Sequence, residues 1–163
     1  MSKPLKVAEG LWFAVPLRDG GFGVGLAARV SPSRGVKTLF CYLFPYRYSE
    51  PPSLEKLLAL KPSDAISLER VSSLGIKKGT WPLIGIDPKF DREKWPMPSF
   101  VRQDLVSKNY RKTTYSPDDP SLVIWEGLCP LGEELVLPQD GLSGYGAVEI
   151  FLTNQIANIE SEK

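Results

Sequence analysis

Apolar and polar positions alternate most clearly near the start of the chain. LWFAVPL (residues 11–17) is followed by Asp19-Gly20-Gly21 and then by FGVGLAARV (residues 22–30). In the second stretch Phe22, Val24, Leu26, Ala28 and Val30 fall on one side, and Gly23, Gly25, Ala27 and Arg29 on the other. A period of two predicts a half-buried strand. Glycines in the intervening turn supply the positive φ of a tight hairpin. The two segments are expected to pair, with Gly23 and Gly25 leaving a bare face. Another strand, an aromatic ring or a partner's backbone could approach closely there.

Further along, VKTLFCYLF (36–44) is apolar almost throughout and predicts a strand buried on both faces. Pro51-Pro52-Ser53 opens a short helix, SLEKLLAL. Ser53 is its expected N-cap, and Leu54, Leu57 and Leu58 its inward face. AISLERVSS (65–73) reads as a strand, and GTWPLIGI (79–86) as a turn feeding a short strand, where Pro82 marks an edge or an entry residue. Asp87 to Pro98 is irregular and proline-rich. FVRQDLV (100–106), KTTYS (112–116) and SLVIWEGL (121–128) are further strands. In AVEIFLTNQIANIE, Val148, Phe151, Leu152, Ile156 and Ile159 recur at helical spacing, so the chain is expected to finish on an amphipathic helix. The fold class is therefore α+β, mainly β. An antiparallel twisted sheet or small open barrel would carry one short central helix and the C-terminal helix. A length of 163 residues suits one domain over 1–163, with 1–8 and 158–163 as loose ends.

Composition narrows the chemistry. There is no histidine, which removes Ser-His-Asp and Cys-His catalysis and the commonest metal ligand. Cys41 and Cys129 both sit in apolar sequence and are expected as buried free thiols, too few for a structural zinc site. That usage, with no apolar leader in MSKPLKVAEG and no apolar run of membrane-spanning length, favours a cytoplasmic protein without a membrane partner. Gly23-Val24-Gly25-Leu26-Ala27-Ala28 matches G-x-G-x-x-A, a dinucleotide-binding variant. Only Leu26 to Val30 could form the helix that the motif must open, and no carboxylate lies between Asp19 and Glu50 to bind a ribose. No cofactor is expected, and the chain does not read as an enzyme.

Charge divides the chain. Ten basic residues lie between Arg70 and Lys112, whereas Thr113 to Glu162 contains no Lys or Arg. That last stretch holds Asp118, Asp119, Glu126, Glu133, Glu134, Asp140, Glu149, Glu160 and Glu162. A field of one sign can steer a basic partner. Equally, the acidic third could fold back on the basic middle or keep the surface soluble.

Gly10-Leu11-Trp12-Phe13-Ala14-Val15-Pro16-Leu17, followed by Asp19-Gly20-Gly21-Phe22-Gly23-Val24-Gly25, resembles the opening of the immunity protein 26 family. Gly79-Thr80-Trp81-Pro82-Leu83-Ile84-Gly85 resembles its G-x-W-P-x-I-G element. Asp140 to Glu149 resembles its helical finish, so the likeness covers most of residues 9–157. Leu11 stands where the family often has an acidic residue. The resemblance implies a bacterial cytosolic antidote that binds and blocks a cognate toxin of a polymorphic toxin system. It carries no catalytic motif. Many such toxins are nucleases with basic clefts, so Asp118, Asp119, Glu133, Glu134 and Asp140 are the expected partner-binding residues. Trp81 and Phe13 are expected in the core.

The alternative, of a different class, is a small nucleic-acid-binding barrel. Lys77, Lys78, Lys89, Arg92, Lys94, Arg111 and Lys112 are interleaved with Trp81, Phe90, Trp95 and Tyr110, a pattern suited to backbone contacts and base stacking. Nucleic acid is the less favoured partner. A ligand-binding enzyme has only the glycine match behind it.

Overall fold

A computed structural model describes residues 6–162. Nine strands and three helices follow in the order β1 Leu11–Pro16, β2 Phe22–Val30, β3 Thr38–Tyr48, α1 Leu54–Leu57, β4 Ser67–Ser72, α2 Leu74–Lys77, β5 Leu83–Ile86, β6 Phe100–Gln103, β7 Tyr110–Ser116, β8 Asp119–Leu128, β9 Leu142–Ser143 and α3 Tyr145–Ser161. They form a six-stranded sheet, β5-β1-β2-β3-β4-β9, and a three-stranded sheet, β6-β7-β8. Neither closes into a barrel. All neighbours are antiparallel except β4 and β9, where Arg70 pairs with Leu142 in parallel.

The expected hairpin forms with Phe13 opposite Gly25 and Pro16 opposite Phe22. Gly20 and Gly21 turn it with φ of 108° and 76°. One expectation for β2 needs correction, because the strand is buried on both faces rather than half-buried. Its position third in a six-stranded sheet explains this. Val24, Leu26 and Ala28 join an aromatic core with Trp12, Phe40, Tyr42, Phe44, Trp95, Phe100 and Tyr115, lying between the two sheets. On the other face Ala27 joins Leu11, Phe13, Leu39, Cys41, Leu43 and Trp81 beneath Val148, Leu152 and Ile156 of α3. The bare face of Gly25 is filled by the Phe13 ring, which lies 2.6 Å from where a Cβ would stand.

β3 is buried on both faces, as its unbroken apolar run requires, and it continues past Pro45 to Tyr48. The central helix is shorter than expected. α1 has a single turn, no side-chain bond from Ser53 caps it, and Leu58 is exposed. Gly79-Thr80-Trp81 follows the unanticipated turn α2. The Trp81 indole stacks on Phe13 with centroids 5.4 Å apart, so both aromatics sit in the core.

The irregular 87–98 segment is held by its interior contacts. Trp95 meets Trp12, Tyr42 and Phe44 through ring edges. Buried Arg29 donates to the carbonyls of Ala28, Trp95 and Arg92. Backbone carbonyls therefore replace a carboxylate as partners of a buried guanidinium, which satisfies most of its donors. Of the expected loose ends, 158–161 continue α3, whereas residues 1–5 and 163 lie outside those described.

Candidate interaction surface

Strands β6 to β8 and the segment leading into β9 gather both the acidic third and much of the basic middle. Their charges meet in pairs. Arg92 Nη1 lies 2.6 Å from Asp118 Oδ1, and its Nε lies 2.7 Å from Glu9 Oε1. Lys112 reaches Glu133 at 2.6 Å, and Arg111 reaches Glu126 at 3.3 Å across the β7–β8 ladder. Asp119 accepts from the backbone and hydroxyl of Ser121, and Glu134 accepts from the Gly132 amide. Neither of these two carboxylates is bonded to a basic side chain.

Asp140 differs from the other four. Its side chain is only 14% exposed and lies 3.2 Å from Arg70 Nη2. It also accepts from the Tyr115 hydroxyl at 2.7 Å and from the Gly141 amide. The Arg70 guanidinium lies over the Tyr115 ring at 4.0 Å and donates to the Pro120 carbonyl. This cluster ties β4 of the large sheet to β7, to the start of β8 and to the approach to β9. Burial first, and then the bond to Asp140, pushes the Tyr115 hydroxyl up to about 12. The five expected partner-binding residues thus divide into a peripheral set, Asp118, Asp119, Glu133 and Glu134, and one interior residue.

Glu149, another carboxylate of the acidic third, is buried in α3. It accepts from the Trp81 indole at 2.9 Å and from Arg18 at 3.1 Å. Among the aromatics interleaved with basic residues, Trp81 and Trp95 are buried, while Phe90 and Tyr110 are half-buried. They do not make an exposed stacking platform.

What the charge pattern did not reveal is an apolar surface. Leu122, Val123, Ile124, Trp125 and Leu128 of β8 are exposed, as are Leu131, Leu135 and Val136 beyond it. Leu131 is fully exposed and Ile124 is 57% exposed. The signal was present in SLVIWEGL, an apolar run with no alternation. The rule that correctly buries β3 would bury this run too. It is nonetheless uncovered, on the last strand of the three-stranded sheet.

Beside this surface, between β4 and residues 136–139, lies a groove of about 640 Å³ lined by Ile66, Leu68, Glu69, Val136, Pro138 and Phe151. Glu69 is engaged there by Ser67 and Ser143. Among the described residues no group of carboxylates and thiols is placed to hold a metal ion. Burial pushes the Cys41 thiol well up. Cys129 is partly exposed rather than buried as expected, and desolvation together with Glu133 and Glu134 also raises its pKa. Neither thiol is therefore activated as a nucleophile. Among the described residues no helix is long and apolar enough to cross a membrane.

The family model described as Immunity protein 26 covers residues 8–112, which contain the β1–β2 hairpin and the Trp81 element. The finish at 140–149 lies outside that match. No curated protein and no solved structure matches the chain. Since the matched stretch takes in well over half of the sequence and both of its distinctive motifs, the chain belongs to the immunity protein 26 family.

Proposed function

We propose that this chain is a bacterial cytoplasmic immunity protein that binds a cognate toxin and neutralises it by occupying its surface, without catalysis of its own. Family membership supports the class of function. The observation that carries the mode of action is the exposed surface of residues 118–136. Apolar side chains lie there among Asp118, Asp119, Glu133 and Glu134, a combination typical of interface cores with a polar rim. A toxin with a basic surface, such as a nuclease cleft, complements that rim. Asp140 contributes indirectly, by holding Arg70 and Tyr115 beneath the surface. The whole chain acts as one domain in this reading.

The test is co-expression with the toxic polypeptide encoded beside this chain, scored for growth. Rescue by the natural chain is expected. Reversing Asp118, Asp119, Glu133 and Glu134 to lysine should weaken rescue and flatten the salt dependence of binding. Unchanged binding and salt dependence would remove these carboxylates from the interface.

A further inference from the structure

Strand β8 occupies an edge of its sheet, and among the described residues it pairs only with β7. Its other edge offers unpaired backbone donors and acceptors. Proteins usually blunt such an edge with lysine, proline or a covering element. Pro120 lies before the exposed run, and from Ser121 to Leu128 there is no Lys, Arg or Pro. Four consecutive exposed apolar side chains, Leu122 to Trp125, stand there instead.

Trp125 is also positioned. A Cβ on Gly127 would stand 2.9 Å from Trp125 Cζ2, so the indole lies against the glycine and leaves half its surface exposed. Tryptophan is among the residues that most often carry binding energy, and a ring already laid against the strand loses little freedom on contact.

The geometry points to strand addition: the free edge of β8 pairs with an extended segment of the toxin that has apolar side chains flanked by Lys or Arg. This rests on the toxin-binding reading above. Charge selects the occupant. A second copy pairing antiparallel would set the Asp118-Asp119 end of each β8 beside the Leu128 end of the other, from which Glu133 and Glu134 follow. Asp118 and Glu133 already pair with Arg92 and Lys112, so the carboxylates brought together without a basic partner would be Asp119 and Glu134, one at each end. A basic-flanked strand meets those same groups favourably.

The probe is the polypeptide encoded beside this chain, in a catalytically inactivated form, and three measurements decide. Light scattering at rising concentration should show the free chain as a monomer; a dimer dispersed by Ile124→Lys would overturn the proposal. Amide exchange of residues 121–128 should slow at least about tenfold in the complex. Ile124→Lys, at an exposed position that leaves the fold intact, should weaken binding at least about tenfold. Gly127→Val, which displaces the indole, should weaken it in the same direction. If the natural chain binds but these amides stay unprotected and Ile124→Lys binds within twofold, strand addition fails while the toxin-binding reading stands. If the natural chain does not bind or rescue, both fail.

Discussion

The Trp81 indole N–H donates to Glu149 Oε2 at 2.9 Å, joining the family's G-x-W-P element to the helix that closes the core. Arg18 Nε approaches the other oxygen of the same carboxylate from a largely exposed position. The two donors should differ in weight. Trp81→Phe removes a buried donor to a charged group and should cost about 1.5–3 kcal/mol. Arg18→Ala removes a solvent-screened partner and should cost less than about 1 kcal/mol. Urea denaturation of the two variants checks the order. Equal losses would mean that Glu149 is held from the surface instead.

Asp140 and Asp118 offer a second contrast, since both pair with arginine. Asp140→Asn leaves Arg70, itself mostly buried, without its carboxylate and should cost about 1.5–3 kcal/mol. The Asp118 side chain is 82% exposed, and Asp118→Asn should leave the melting midpoint almost unchanged. In toxin binding the order should reverse, with Asp118 contributing directly and Asp140 only through stability. Thermal melts and titrations of the same two variants measure both orders.

Tyr42 and Tyr115 should make stability fall at alkaline pH. Burial pushes Tyr42 up to about 12, opposed by the Arg29 charge, and its hydroxyl donates to the Pro96 carbonyl. Tyr115 rises to about 12 through burial and its bond to Asp140. An unfolded tyrosine ionises near pH ~10. The folded state therefore holds these protons where the unfolded state has lost them. The stability so gained is fully present below about pH 10 and is lost as pH rises toward 12. Denaturation followed across that range should show the fall, and Tyr42→Phe with Tyr115→Phe should flatten it.

Much of the hairpin and the core was legible in the sequence because each rests on local signals. The Asp19-Gly20-Gly21 turn, the alternation in β2 and the unbroken run of β3 lead to the same pairing that forms. The double burial of β2 was not legible, because it depends on a second sheet and a helix arriving from residues 100 to 161. The acidic third was visible as composition, but its division was not. Asp140 and Glu149 turn inward because Arg70, Tyr115 and Trp81 are brought to them from distant positions. The exposed face of β8 was hidden by its own hydrophobicity, since periodicity cannot tell an uncovered apolar strand from a buried one.

Calorimetric titration of the purified chain with the inactivated polypeptide encoded beside it tests the central claim most directly. Stoichiometric binding is expected, weakening as salt rises and weakening further when Asp118, Asp119, Glu133 and Glu134 are reversed. Absence of binding at low salt, together with no rescue of growth on co-expression, would contradict it.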